Sequence, residues 1–209
     1  MKKAIAFLMV LCMLLGVSAS AESDALVVYF SCTGTTQGVA ERLANVTGAD
    51  LYEIVPAGPY TDEDLNYNDR STRATWEQDH PDTRPEIEGL KPIRVSEFFP
   101  EGKTADGQIE DLSAAPLGGD IDLTGYATVY IGYPIWWGMA PRILCTFVEQ
   151  YDFTGKTVVP FCTSGGSGIG RSGDDLAKLA GTGEWLKGAR HSGGVSEDEL
   201  KAWVKGLNK

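Results

Sequence analysis

Ala25-Leu26-Val27-Val28-Tyr29-Phe30-Ser31-Cys32-Thr33-Gly34-Thr35-Thr36 is the stretch whose reading decides the fold. Its apolar half has no polar break, the pattern of a strand buried on both faces of a parallel sheet. A polar, glycine-bearing turn follows at Ser31–Thr36. Val39, Ala40, Leu43, Ala44 and Val46 then recur at helical spacing up to Gly48, a residue suited to end a helix. The order is strand, turn, helix.

The same unit repeats downstream. Ala49 to Val55 reads as a second strand. Thr128 to Gly132 reads as another, followed by the loop Tyr133–Gly138 and a helix opened by Pro141 that carries Ile143, Leu144, Phe147 and Val148. Thr157 to Cys162 is a strand, Thr163 to Gly170 a glycine and serine loop, and Leu176, Leu179 and Ala180 mark a helix expected to be capped by Ser172. Trp185 to Ala189 reads as a short last strand. Ser196 and Glu199 have capping-box spacing ahead of a helix with Leu200, Trp203, Val204 and Leu207 on one face. Alternating strands and helices predict an α/β domain, a parallel sheet covered on both faces, with ligands beyond the carboxyl ends of its strands. Two stretches break the rhythm: Pro59–Arg84, polar with a weak helical pattern from Leu65 to Trp76, and the glycine-rich Lys91–Gly125, read as an unassigned insertion.

A chain of 209 residues, 43% hydrophobic and 22% charged, is of single-domain size and globular composition. Its net charge of -11 argues against nucleic acid as a partner, because phosphate backbones are bound by basic surfaces. Residues 1–21 read as a secretory signal peptide: Lys2-Lys3, the apolar run Ala4–Val17, and small residues before a cut expected after Ala21. The run is shorter than the roughly 20 residues of a spanning helix, so no stable membrane insertion is expected after cleavage, and the protein should be exported, periplasmic or extracellular. Residues 22–209 then form the domain. Cleavage removes two lysines and no acids, which deepens the acidity. Cys32, Cys145 and Cys162 remain, an odd number, with Cys145 and Cys162 the pair worth testing for a bridge. His80 and His191 read as solvated loop residues, and no metal-ligand spacing is present.

The chemistry gathers in three loops at one sheet edge. Ser31, Thr33 and Thr36 place hydroxyls where a strand hands over to a helix, Gly34 allows a tight turn, and backbone N–H groups with the helix dipole favour an anion. No lysine is present, so an ATP-type phosphate loop is excluded; neutral donors suit a phosphate monoester held in place. Trp136-Trp137, between Pro134 and Gly138, cannot both point inward, and stacking on a flat aromatic ligand would account for one of them. Thr163-Ser164-Gly165-Gly166 offers backbone donors and acceptors with little bulk, able to approach the polar edge of a ring.

Val27–Ala44 with Ser-x-Thr-Gly-x-Thr, Gly132–Gly138 and Phe161–Gly168, in that order and spacing, resemble the flavodoxins, in particular a bacterial flavodoxin-like family often found with export signals. The resemblance covers about 25–85 and 127–207. It implies a three-layer αβα sandwich on a five-stranded parallel sheet of order 2-1-3-4-5, with FMN as cofactor. It further implies that Ser31, Thr33 and Thr36 bind the phosphate by hydroxyls and Cys32, Gly34 and Thr35 by backbone N–H. Pro134, Ile135, Trp136, Trp137 and Gly138 would line the isoalloxazine, with Trp136 or Trp137 stacked on it, and Thr163, Ser164, Gly165 and Gly166 would face its pyrimidine edge. Cys32 is then a backbone contact and not a nucleophile. No catalytic side chain is implied.

FMN carries the redox chemistry and the protein sets potential and access. The expected function is low-potential electron shuttling to a redox partner with a basic face. The alternative is an FMN-dependent NAD(P)H:quinone or flavin reductase, taking a small quinone or nicotinamide near Tyr67, Arg70, Arg73 and the 91–125 stretch. A flavodoxin-like module without flavin is the third reading.

Overall fold

The computed structural model describes residues 24–93 and 121–207. The signal peptide expected at 1–21 and most of the insertion expected at 91–125 lie outside the described residues. The elements in order are β1 (Ala25–Tyr29), α1 (Thr35–Thr47), β2 (Asp50–Pro56), α2 (Arg73–Asp79), β3 (Ile87–Ile93), a 3-10 turn (Leu123–Gly125), β4 (Thr128–Pro134), α3 (Arg142–Gln150), β5 (Thr157–Thr163), α4 (Ser172–Ala180), β6 (Glu184–Trp185), β7 (Ala189–His191) and α5 (Glu197–Leu207).

They build one sheet of order β3-β2-β1-β4-β5-β6, with β7 also paired to β5. All pairs are parallel except β2 with β3. The five-stranded parallel sheet of order 2-1-3-4-5 is therefore corrected to seven strands. The expected order survives as β2-β1-β4-β5-β6, and the structure adds an antiparallel edge strand and splits the last strand in two. β3 reads Ile-Glu-Gly-Leu-Lys-Pro-Ile, and only Leu90 is buried. Proline and glycine mask it as a strand, yet Pro92, opposite Tyr52, is tolerated because the strand lies at the edge. β6 and β7 are separated around Gly188, whose bare Cα packs against the Pro160 carbonyl.

Alternate residues of β1 feed two cores. Leu26, Val28 and Phe30 join Ile143, Leu144, Phe147 and Val148 of α3, while Val27 and Tyr29 join Val39, Ala40 and Leu43 of α1 and Leu200 of α5. Helices thus cover both faces. Gly48 ends α1 in the left-handed conformation, its N–H bonded to the Ala44 carbonyl. Ser196 and Glu199 form the expected capping box. Ser172 is not a cap: it lies inside the first turn of α4, buried, with its hydroxyl on the Ile169 carbonyl and 3.0 Å from Tyr133 OH. The weak helical pattern at 65–76 resolves into turns followed by the short α2. Cys32, Cys145 and Cys162 are all free, so the bridge considered for Cys145 and Cys162 is not formed.

His80 is exposed, as expected, and stacks on Trp76. His191 is not a solvated loop residue. It ends β7, buried, 4.6 Å edge-on to Trp203 of α5, and its Nε2 has no partner. Burial lowers its pKa below the ordinary 6.5, with Glu199 opposing. A base with a lowered folded pKa is protonated first in the unfolded chain, so the stability it contributes is full above about pH 6.5 and is lost as the pH falls below that. Thermal unfolding between pH 7.5 and 5 should show Tm falling in wild type and falling less in His191→Gln; parallel curves would remove His191 from the account.

Candidate functional site

The turns after β1, β4 and β5 meet at the carboxyl edge, where the sheet order reverses around β1. They border a cleft of about 400 Å³ lined by Ser31, Cys32, Thr33, Thr35, Thr36, Pro134, Ile135, Trp136, Thr163, Ser164 and Gly165, and also by Leu65 and Tyr67. Gly34, Trp137, Gly138 and Gly166 stand beside it and do not line it.

Gly34 opens α1 at φ 77, and no side chain caps the helix. The first-turn N–H groups have no intrahelical acceptors and point outward. No acidic residue occupies that turn, whereas α4 begins with Asp174 and Asp175 and α5 with Glu197, Asp198 and Glu199. The start of α1 is thus free of competing carboxylates. The Thr36 hydroxyl is buried and lies 2.8 Å from that of Thr163, which ties the first loop to the end of β5. Burial pushes the Cys32 thiol up to about 12, with Arg73 opposing and Glu77 and Glu53 adding. At neutral pH it is a thiol, not a thiolate nucleophile.

The second loop is a tight reversal. Trp136 and Met139 exchange backbone bonds of 2.9 and 3.0 Å, and Trp137 (φ 48) and Gly138 (φ 80) occupy the turn. Among described residues Trp137 is the one non-glycine residue at positive φ, a conformation that disfavours a large side chain and is often retained at functional sites. The adjacent tryptophans diverge. Trp136 is 3% exposed and sits edge-on to Phe30 (5.8 Å) and Tyr60 (5.3 Å), serving both as core and as cleft wall. Trp137 is 40% exposed and lies 4.6 Å from Tyr67 at the mouth.

The third loop is drawn together by the Ser164 hydroxyl, which donates to the Ser167 carbonyl. The fourth wall comes from 57–72, which brings Leu65 and Tyr67 to the cleft. It is stapled to α2: Glu77 accepts from Tyr60 OH (2.6 Å) and Arg73 Nε (2.8 Å), and Arg73 donates to the Gly58 carbonyl (2.7 Å). Leu65 and this staple went unread in the sequence; the four-residue spacing of Arg73 and Glu77 is the one signal that pointed to it. Of the residues assigned to a second substrate, Tyr67 lines the cleft, Arg73 lies behind Tyr60, and Arg70 makes only an exposed pair with Asp79. Among the described residues no group of side chains could hold a metal ion, and no helix is long and apolar enough to cross a membrane.

A family model described as Flavodoxin matches residues 24–98 and 108–207, passing over only 99–107 of the stretch read as an insertion. A candidate flavoprotein from Bacteroides eggerthii is 38% identical, with a TM-score of 0.69 over 88% of this chain and 98% of that one. One from Bacteroides uniformis is 37% identical, with a TM-score of 0.68 over 87% and 97%. A Lactobacillus acidophilus flavoprotein in complex with FMN is 19% identical, with a TM-score of 0.57 over 88% and 98%, a likeness of fold. No curated protein matches the chain.

Proposed function

The chain belongs to the flavodoxin family, and from that premise we propose that it binds FMN in this cleft and shuttles electrons at low potential. The observation that carries the reading is the start of α1. A helix terminus without cap or carboxylate, ringed by Ser31, Thr33 and Thr36, is a site for a phosphate monoester. The rest of the cleft fits the group: its volume is in the range of small-ligand sites, one wall is aromatic, and the third loop offers backbone donors and acceptors.

When bound, FMN supplies the redox chemistry. The chain's residues hold and tune it. Ser31, Thr33 and Thr36 would donate hydroxyls to the phosphate, and Cys32, Gly34 and Thr35 would present backbone N–H groups. Thr36 can serve both partners, since a hydroxyl donates once and accepts twice. Pro134 to Gly138 would flank the ring, with Trp136 as the buried wall and Trp137 and Tyr67 at the mouth. Thr163 to Gly166 would offer backbone donors and acceptors to the pyrimidine edge. An acidic chain whose described cleft lining carries no charged side chain would disfavour further negative charge on the ring, which lowers the potential. Asp62, Glu63 and Asp69, exposed on the loop that carries Tyr67, suit a transient redox partner with a basic face.

The exposed Tyr67 and Trp137 also favour a second reading, a reductase whose planar quinone or nicotinamide substrate rests on them. Rapid bleaching of the bound flavin by NADPH alone selects that reading.

Export through a signal at 1–21 belongs to the same proposal, with FMN acquired after translocation. The deciding experiment purifies the protein from the exported fraction, sequences its N-terminus and records its spectrum before and after adding FMN. A mature start at Glu22 and the two absorption bands of oxidised flavin are expected. Trp137→Ala should weaken FMN binding by about tenfold. A protein without the flavin bands, and without their recovery on adding FMN, would be a flavin-free module and end the proposal.

A further inference from the structure

β7 runs beside the carboxyl end of β5, pairing Cys162 with Arg190 and Thr163 with His191. From that position Arg190 reaches the third loop with two donors of one guanidinium. Nε bonds the Ser164 hydroxyl at 3.1 Å and Nη2 the Ser164 carbonyl at 3.0 Å. A planar fork on two acceptors of one residue fixes direction as well as distance, which a lysine could not do. Ser164 lines the cleft, between Thr163 and Gly165, which line it as well.

Arg190 is itself exposed, so water screens part of its charge. Arg73, which lies over the Tyr60 ring, is neutralised by Glu77 at 2.8 Å, whereas Arg190 makes no ion pair among the described residues. Among the described residues no charged side chain lines the cleft itself. Burial raises the Cys162 thiol, and Arg190, its strand partner, opposes that shift.

We propose that Arg190 is a positioning residue that holds the Thr163–Gly166 wall against the flavin and, through its unpaired charge, favours the reduced anionic flavin over the oxidised neutral one. The inference rests on the FMN reading. Oxidised FMN takes up two electrons and one proton to give an anion, so the ring passes from neutral to one negative charge. A cation held directly behind Ser164 of the cleft wall would favour that product and partly offset the low potential set by the acidic chain.

The test measures FMN affinity in air and after stoichiometric reduction with dithionite under argon, for wild type, Arg190→Gln and Arg190→Lys. Arg190→Gln should raise the ratio of reduced to oxidised Kd by about fivefold, an effect that shrinks at high ionic strength. Arg190→Lys keeps the charge and loses the fork, so the ratio should stay near wild type while the oxidised Kd rises. A ratio within twofold of wild type in Arg190→Gln, with FMN still bound, overturns the role of Arg190 alone. Failure of wild type to bind FMN overturns the function on which the role rests, and the role with it.

Discussion

Glu77→Ala lowers the free energy of unfolding by about 3 kcal/mol, the lower end of what removing one partner of a buried ion pair costs. The Glu77 side chain is 4% exposed and accepts from both Tyr60 OH and Arg73 Nε. Without the carboxylate, the Tyr60 hydroxyl faces a water-poor interior with no acceptor. Arg73 loses its counter-charge but is 30% exposed, so water recovers part of its hydration, and this keeps the loss below the upper range. The damage should reach the cleft, because Tyr60 is braced by the Arg73 guanidinium 3.9 Å over its ring and supports Trp136 edge-on. FMN affinity falls together with stability. Urea denaturation checks the first effect and flavin fluorescence titration the second. The control is Arg70→Ala, which breaks a 4.0 Å pair whose side chains are 88% and 58% exposed and should leave both readings unchanged. Equal losses in the two variants would show that the staple contributes no more than a surface pair.

The staple also marks where sequence reasoning stops. The strands β1, β4 and β5 are legible because burial on both faces demands uninterrupted apolar runs, and the three loops that follow them are legible because hydroxyl, tryptophan and glycine clusters have no place in a core. β3 is not legible: an edge strand needs neither the apolar run nor a full ladder, so Gly89 and Pro92 are permitted and disguise it. Leu65 and Tyr67 belong to a polar loop whose shape is set by a buried carboxylate, and a glutamate in a polar stretch reads as solvent-facing until the fold closes over it. His191 misleads in the same way: it reads as a solvated loop residue, yet it is covered by Trp203 of a helix that arrives later in the chain. In each case the local pattern is overruled by what packs against it from a distance.

Gly132→Ala should lose about 3 kcal/mol, at the upper end of overpacking penalties, although it adds one methyl group. Gly132 lies in β4 with Tyr29 on one side and Phe161 on the other. A Cβ there would meet the Phe161 ring, 2.7 Å from Cε2 and 2.9 Å from Cε1. The ring fills the hole that the missing side chain leaves in the centre of the sheet. It cannot swing away easily, because Phe161 has no exposed surface and packs edge-on to Trp203 of α5. Accommodation must therefore move the strand or lift the helix. Moving the strand disturbs the cleft directly: the Gly132 carbonyl accepts from Phe30 N at 2.9 Å just before the first loop, and Pro134 begins the second. Stability and FMN affinity should fall together. Phe161→Leu in the Gly132→Ala background separates the clash from a generic strand effect. If the ring is the obstacle, trimming it recovers at least 1 kcal/mol of the loss in a double-mutant cycle, a coupling of the size contacting residues show. Additive losses would place the penalty in the backbone instead. Gly125→Ala, away from the cleft and with no atom within 4 Å of the added Cβ, sets the baseline for a glycine whose replacement the fold tolerates.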